Sequence, residues 1–296
     1  MNNYVSKAIF HLPGIFIYYE LYQVLLKEIK NNKNILKDNV EIGSLYDSPP
    51  AIWNGGRGAF GNSWESWPEK ALIDMKKHIE AYDIPIRFTF TNCLLEDKHL
   101  NDEYCNLLLK IFSDGKNEII CNSPILENYI RNTYGNRFKY ISSTTKRIQD
   151  KNIQLEEINK DYFLTVIDYD FNKELSFLQL IKDKSKCEIL CNPVCKPNCI
   201  FRKYHYEVIS QHQLDFLPLD NFNCEDMSKQ FYQVKNSPNF ISVEDINNIY
   251  LPMGFCNYKL EGRTNHPFDL IEILLYYLIK EEYKDEIRGK LQKIFF

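Results

Sequence analysis

The chain has 296 residues, of which 44% are apolar and 14% aromatic, a composition that supports a substantial core in one large domain or two small ones. Its 36 Lys and Arg residues and 40 Asp and Glu residues give a formal charge of −4, which argues against nucleic acid as a partner. The longest apolar stretch near the start, residues 15–26, is interrupted by Glu20 and Gln23 and falls short of the ~20 residues that span a membrane.

Eight short apolar runs alternate with helical patterns along almost the whole chain. This alternation predicts an α/β protein, and eight strands with intervening helices are typical of a TIM-like (β/α)8 barrel formed by residues 1–296 as one domain. An open, doubly wound sheet is the alternative, because periodicity alone does not show closure. An aperiodic segment, residues 213–239, predicts an irregular excursion between the last two strands. The predicted strands are residues 7–10, 40–45, 85–91, 118–122, 138–142, 163–168, 188–192 and 257–262.

Several residues mark the ends of the predicted helices. Ser66-Trp-Pro-Glu69 has the form of a capping box at a helix start. Gly135 is suited to the position just after a helix end. Ser242-Val-Glu-Asp245 and Pro267 each predict the start of a further helix, the second of them long.

The cysteine content bears on the compartment. Nine cysteines, an odd number, argue against a closed disulfide framework. The sequence shows neither a basic leader followed by an apolar run nor a small-residue cleavage site. We therefore expect a cytoplasmic protein, without membrane association, whose thiols are reduced or bound to metal.

In a (β/α)8 barrel the residues that follow the strands gather at the C-terminal mouth, where the chemistry of such proteins occurs. Asp168 could supply a carboxylate base there, although acids at a strand end often cap the next helix. His11 could bind a ligand or only hydrogen-bond to the backbone. The residues expected at the mouth are His11, 53–57, Asn92, Cys93, Asn122, Ser143, Asp168, Asp170, Asn192, Cys195, Cys199, Glu261 and Arg263.

Four cysteines recur at a spacing of four: Cys187, Cys191, Cys195 and Cys199. Pro193 and Pro197 would break a helix, so a strand that runs into a loop is the better interpretation. Four residues of strand span ~13 Å, which separates the first thiol from the loop pair. Cys195 and Cys199 therefore form the strongest metal-ligand pair, with two incidental apolar thiols as the alternative.

A complete iron–sulfur site needs further ligands. Cys224, in the aperiodic segment, is the third candidate, and Cys93 and Cys191 compete for the fourth position. A four-iron–four-sulfur cluster and zinc, which also accepts four thiolates, are both compatible with four cysteine ligands, and these residues alone do not separate the two.

A glycine-rich stretch, Trp53-Asn-Gly-Gly-Arg-Gly-Ala-Phe-Gly61, could let the backbone approach a ligand closely. It lacks the Lys-Ser/Thr of a P-loop and does not match the dinucleotide fingerprint. A merely flexible loop is the alternative. Asn54 is a candidate for binding substrate, and Arg57 could clamp a carboxylate or phosphate.

The last predicted strand ends in Lys259-Leu-Glu-Gly-Arg-Thr-Asn-His266. Alternation places Lys259, Glu261 and Arg263 on one side, where the first two are expected to form a structural salt bridge. Arg263 and His266 lie closer to the mouth and are the better candidates for contact with substrate. Glu261 and Asn122 are further substrate-binding candidates, and Asp168 and His266 are the candidate catalytic pair.

The segment Phe240-Ile-Ser-Val-Glu-Asp-Ile246, followed by Gly254-Phe-Cys-Asn-Tyr-Lys-Leu-Glu-Gly-Arg263, resembles the closing segment of the peptidase U32 (collagenase-like) family. The resemblance implies a barrel-like fold. It also implies a link to oxygen-independent hydroxylation, since the family includes the ubiquinone-hydroxylation accessory proteins and tRNA and rRNA hydroxylation proteins. Some members carry a four-cysteine iron–sulfur cluster, and some are thought to draw oxygen from prephenate.

The resemblance also implies roles for individual residues. Cys195, Cys199 and Cys224 would hold the cluster, while Arg57 and Arg263 would bind an anionic ligand. The loop after the second strand has Ala51, Ile52 and Trp53 where some relatives have a cysteine, which departs from the family pattern.

The predicted function is oxygen-independent hydroxylation, or a related modification, of a small molecule, peptide or RNA by a U32-like iron–sulfur protein. A small anionic co-substrate and a protein partner or hetero-oligomer are the expected partners. A non-catalytic metal or iron–sulfur partner protein is one alternative. A U32-type protease is another, although the sequence offers no recognisable nucleophile with its base.

Overall fold

The computed structural model describes residues 7–47, 49–55, 66–215, 230–263 and 265–296. Its centre is a closed barrel of eight parallel strands, each paired with the next in chain order and the eighth paired with the first. The predicted (β/α)8 barrel is thereby confirmed. The strands are β1 (Ala8–Pro13), β2 (Val40–Asp47), β3 (Ile86–Phe90), β4 (Glu118–Cys121), β5 (Lys139–Ser142), β6 (Leu164–Val166), β7 (Cys187–Leu190) and β8 (Asn257–Lys259).

Helices connect the strands, and many of their apolar residues belong to the same buried core as residues of the strands. None of the helices in the described ranges is both long enough and apolar enough to cross a membrane. A π-helical turn, Ile246–Tyr250, joins two short helices before β8. The α-helices are α1 (Tyr19–Asn31), α2 (Glu69–Glu80), α3 (Glu103–Phe112), α4 (Pro124–Tyr134), α5 (Lys151–Ile158), α6 (Leu175–Leu180), α7 (Arg202–Asp215), α8 (Phe231–Val234), α9 (Val243–Asp245), α10 (Leu251–Met253), α11 (Pro267–Leu278) and α12 (Lys284–Gln292).

Three of the predicted helix signals are confirmed, including Pro267 at the start of a 12-residue helix, and one is wrong. Ser242 and Asp245 form a reciprocal capping box, and Gly135 ends α4 with a φ of 55°. The capping box predicted at Ser66 does not form, because α2 begins directly after Pro68, whose side chain has no hydroxyl to cap it. The connection between β7 and β8 is long, as predicted. Helix α7 lies mostly before the predicted irregular segment, residues 213–239, and residues 216–229 of that segment lie outside the described ranges.

The strand ends differ from the sequence-based prediction in both directions. β1 extends to Pro13, so His11 lies inside the strand rather than after it. β6 and β8 are shorter than predicted, because the buried apolar residues Ile167 and Leu260 continue the pattern beyond the last ladder position. At the mouth, the chain therefore stays buried for at least one residue after the strands stop pairing.

The interior of the barrel has an apolar side and a charged side. Ile120, Ile141, Leu164 and Val166 form a small apolar cluster on β4, β5 and β6. Side chains from β1, β3, β4, β7 and β8 form a hydrogen-bonded ionic network on the other side. That network includes His11, Arg87, Glu118, Glu188 and Lys259.

Candidate functional site

A cavity open to solvent, with about 660 Å³ of empty space, occupies the C-terminal mouth of the barrel. The ends of β2, β3, β4, β5, β7 and β8 all contribute to its wall. The residues that line it include Tyr46, Thr89, Thr91, Thr145, Lys259 and Arg263. This is the position at which (β/α)8 barrels carry their sites.

Lys259, the last residue of β8, is the more deeply buried cation of the cavity. Its Nζ atom lies 3.6 Å from Glu188 Oε1 and 4.0 Å from the centroid of the Tyr46 ring. Burial lowers the pKa of the ammonium group to about 7, and Glu188 opposes this effect only in part. The amine therefore titrates near neutral pH. The predicted salt bridge between Lys259 and Glu261 is wrong, because the partner of Lys259 is Glu188.

Glu261 joins two loops at the mouth. Its carboxylate accepts a hydrogen bond of 2.9 Å from the backbone N–H of Val194. The Asn192 side chain pairs with both backbone groups of Glu261, at 2.7 and 2.9 Å. The loop that follows β7, which contains Cys195, is thus held against the loop that follows β8.

Arg263 is the second cation on the cavity wall. Its Nη1 atom donates to Thr89 Oγ1 at 2.8 Å and lies 3.5 Å from Asp47 Oδ1. Thr89 and Thr91 follow Arg87 at alternate positions of β3 and its end, so all three side chains point into the barrel. Sequence reasoning missed these threonines, although their alternation with Arg87 was the available signal.

Hydroxyl groups form the wall that follows β5. Ser143 Oγ and Thr145 Oγ1 are 2.8 Å apart, and Asn122 Nδ2 donates to Thr145 Oγ1 at 2.8 Å. Asn122, predicted to bind substrate, therefore orients a hydroxyl that lines the cavity.

A buried ionic floor lies beneath the cavity. Arg87 donates to Glu118 Oε2 at 2.6 Å and also to Glu188. His11 is within hydrogen-bond distance of Ser44 Oγ, at 2.8 Å, and of the Arg87 guanidinium, at 3.0 Å. Burial and the charge of Arg87 lower the pKa of His11 to about 3, so its ring is neutral. The residue predicted to bind substrate is thus part of the floor.

Asp168, the predicted base, belongs to a separate ionic cluster at the rim. Its carboxylate pairs with Arg147 at 2.6 Å and with Arg202 at 3.2 Å. Asp170 pairs with the same two arginines, at 2.6 and 2.8 Å. The Arg202 guanidinium also stacks on the Tyr169 ring, 3.8 Å from its centroid. Both carboxylates are therefore engaged, and the catalytic role of Asp168 stays a prediction.

The predicted metal ligands are only partly brought together. Cys195 and Cys199 are both buried and belong to one small cluster with Tyr169 and Leu190. Cys93 lies 3.4 Å from Ser210 Oγ, and burial raises its pKa. Within the described ranges, no three His, Cys, Asp or Glu side chains form a group that could hold a metal ion.

Cys224 lies outside the described residues. Cys191, the other candidate for the fourth position, packs in the main apolar core. The described cysteines therefore supply a pair of thiols in one cluster and no complete set of metal ligands.

Two further predicted site residues, His266 and Asn54, lie apart from the cavity wall. His266 is exposed at the start of α11, where its Nδ1 atom accepts a weak bond of 3.4 Å from the Phe268 N–H. Asn54 is buried, and its amide has no hydrogen-bond partner among the described residues. Arg57 lies outside the described residues. The roles of these three residues stay predictions.

Fold and cavity together define a (β/α)8-barrel protein whose mouth carries two cations and a row of hydroxyl groups. No family model matches the chain, and no curated protein matches it in sequence. A solved structure described as the U32 peptidase Mk0906 superimposes with a TM-score of 0.53 at 8% identity, over 88% of this chain and 95% of that one. Similarity at this identity shows that the two chains share a fold.

Proposed function

We propose that the mouth cavity binds a small anionic molecule and that the protein is an enzyme that acts on this molecule or uses it as a co-substrate. The placement of Lys259 and Arg263 in one cavity, beside the hydroxyls of Thr89 and Thr145, supports the proposal. Hydroxyl donors and a guanidinium are groups that recognise carboxylates and phosphates.

Neither of these cations is tightly paired with a carboxylate. Glu188 is shared between Lys259 and the nearer Arg87 guanidinium, and Asp47 lies 3.5 Å from Arg263. An anion bound between Lys259 and Arg263 would approach both cations, and its charge would favour the protonated amine.

The test is calorimetric titration of the whole chain with small carboxylates and inorganic phosphate. Arg263→Gln is expected to weaken binding by about tenfold to a hundredfold, because a charged hydrogen bond contributes ~1.5–3 kcal/mol. Arg137→Gln is the matched control, since Arg137 is exposed and lies just before β5, at the opposite end of the barrel. Equal affinities in the two variants, or no binding by the wild type, would contradict the proposal.

We further propose, as the finer form of this function, oxygen-independent hydroxylation or a related modification that uses an iron–sulfur cluster. The U32-like fold and the placement of Cys195 and Cys199 in one buried cluster support it. Iron, zinc and acid-labile sulfide would be measured on protein purified without oxygen. Iron and sulfide that disappear in the Cys195→Ala, Cys199→Ala double variant but persist in Cys187→Ala would support it. Zinc alone would indicate a structural site, and neither metal would leave only the anion-binding cavity.

A peptidase is the second candidate, because the structurally similar protein is described as a U32 peptidase. The hydroxyls of Ser143 and Thr145 line the cavity, but they bond to each other and to Asn122. In the part of the chain that is described, neither hydroxyl bonds to a histidine or a carboxylate that could act as its base. Degradation of casein or gelatin that is lost in Ser143→Ala would favour this candidate.

A further inference from the structure

Lys259 differs from a lysine that serves only as a fixed positive charge. Its amine lies at the end of β8 on the cavity wall, and its side chain is 10% exposed. The contact with Glu188 is 3.6 Å long, which exceeds a normal hydrogen bond. The amine is therefore held beside a carboxylate without being tightly paired to it.

The groups around the amine come from several strands. Arg87 of β3 and Arg263 of the loop after β8 disfavour its protonation, and Glu188 of β7 and Glu261 favour it. Tyr46 of β2 presents its ring face to the amine. Burial outweighs the carboxylates and sets the pKa of Lys259 to about 7, so about half of the molecules carry a neutral amine at neutral pH.

We propose that Lys259 is a nucleophilic amine that condenses with the carbonyl group of a small aldehyde or ketone that also carries a carboxylate, while Arg263 holds the carboxylate. The inference rests on the proposed binding of an anion in the cavity and adds the reactive group of the ligand. A desolvated lysine in a pocket is a recognised way to activate an amine for imine formation.

The condensation needs no oxidant or reductant. The lone pair of Lys259 Nζ forms a bond to the carbonyl carbon, and one proton of the amine moves to the carbonyl oxygen to give a carbinolamine. The carbon–oxygen bond then breaks, and the oxygen leaves as water with the second proton of the nitrogen, which leaves a carbon–nitrogen double bond. A proton from solvent converts this imine into an iminium ion. The positive charge then lies where the ammonium charge lay, beside Glu188 and over the face of Tyr46.

Lys37 is a natural internal control. Burial lowers its pKa to about 8, so it also has an activated amine. Its Nζ atom donates to the backbone carbonyl of Tyr276, and the residue lies just before β2, at the end of the barrel opposite the cavity. Lys37 therefore combines a lowered pKa with a position outside the cavity.

The experiment is reductive trapping on the whole chain with glyoxylate or pyruvate and cyanoborohydride at neutral pH. We expect one adduct whose mass is that of the ligand less one oxygen atom, located on the peptide that carries Lys259. Its rate should exceed that of surface lysines by roughly a hundredfold or more, because a lysine of ordinary pKa is neutral in only about one molecule in a thousand at this pH. Acetone, a ketone without a carboxylate, should label Lys259 far more slowly.

Two variants and a ligand without an aldehyde or ketone separate this inference from the proposed function. Lys259→Met and Lys259→Arg should both lose the adduct, and calorimetric titration of the wild type with lactate, which has no aldehyde or ketone to condense, measures anion binding separately. Circular dichroism checks the folding of each variant, and the wild-type peptide map decides the matter if either fails to fold. Labelling of Lys37 or of surface lysines at the rate of Lys259 would overturn the inference. Lactate binding by a wild type that forms no adduct would overturn it while leaving anion binding intact, whereas absence of both would remove the proposed function as well.

Discussion

Two ionic clusters lie near the mouth of the barrel and contain similar residues. The rim cluster is closed, because its charges pair with one another at short distances, whereas the cavity cluster is open, because its cations have only longer contacts with carboxylates. At the rim, Arg147 and Arg202 face Asp168 and Asp170 in four contacts of 2.6–3.2 Å. In the cavity, the contacts of Lys259 and Arg263 with carboxylates are 3.6 and 3.5 Å long. The rim cluster is complete without a ligand, whereas the cavity cations have loose partners.

The closed pairing of the rim cluster indicates a structural role, whereas the open cavity cluster fits the binding role that we propose for it. Two guanidinium groups and two carboxylates neutralise each other, so the rim cluster offers little attraction to an additional ion. The cavity cations lie at an open surface, and one of them has a depressed pKa. The predicted base Asp168 belongs to the closed cluster, where two guanidinium groups engage its carboxylate.

The largest effect that we expect is a loss of stability when the closed cluster is broken. Arg202→Met leaves Asp168 and Asp170 with one cationic partner instead of two, so we expect the free energy of unfolding to fall by about 3–5 kcal/mol. Urea denaturation measures this loss. Arg137→Met, the exposed control, should change stability by less than about 0.5 kcal/mol. A small loss in Arg202→Met would show that the rim cluster is not the structural element that its geometry indicates.

The next effect concerns the floor on which the cavity rests. His11 has a pKa of about 3 in the folded protein, below its ordinary value of 6.5, so the unfolded chain binds more protons between these values. Stability should therefore fall as the pH falls from 6.5 toward 3, by up to about 1.4 kcal/mol per pH unit from this group. His11→Gln, which retains a neutral acceptor, should flatten this slope in urea titrations at several pH values. An unchanged slope would show that His11 is not the group responsible.

The third effect concerns the open cluster and is a change in ligand affinity. The protonated Lys259 attracts an anion, so affinity should be constant below pH 7 and decline above it, by up to about tenfold per pH unit. Calorimetry with lactate between pH 6 and 9 measures the profile. Lys259→Met should bind more weakly and show no such decline. A decline of the same size in that variant would assign the titration to another group.

The smallest expected effect is on the hydroxyl wall. Asn122→Ala removes the donor that orients Thr145, so we expect a loss of affinity of about 1 kcal/mol, or roughly fivefold. The melting temperature should change little, since Asn122 is only partly buried. A loss as large as that in Arg263→Gln would mean that Asn122 contacts the ligand itself.

The fold was predictable because each strand is a local apolar run between helical segments, and all eight were located. The strand ends were less predictable, since Ile167 and Leu260 remain buried after pairing stops. The site was harder because its pairs join distant parts of the chain. Lys259 contacts Glu188 rather than the nearby Glu261, and this follows from the register that places Leu190 opposite Lys259.

The arginine partners of Asp168 show the same limit. Arg147 precedes Asp168 by 21 positions and Arg202 follows it by 34. No local spacing indicates that three separate loops bring these side chains together. Arg263 was identified as a candidate because it follows a strand, and the structure does place it on the cavity wall.

The pairing of the last strand with the first has a consequence for biosynthesis. β8 closes the barrel between β7 and β1, and His11 reaches Asn257 across 246 positions of sequence. Lys259 arrives on that final strand, so a nascent chain that lacks it has seven strands, an open seam and no amine beside Glu188. Domains emerge from the ribosome with their N-terminal parts first. A partly made barrel therefore lacks the cavity in which we propose that an anion binds, and Lys259 meets its neighbours only when the seam has closed.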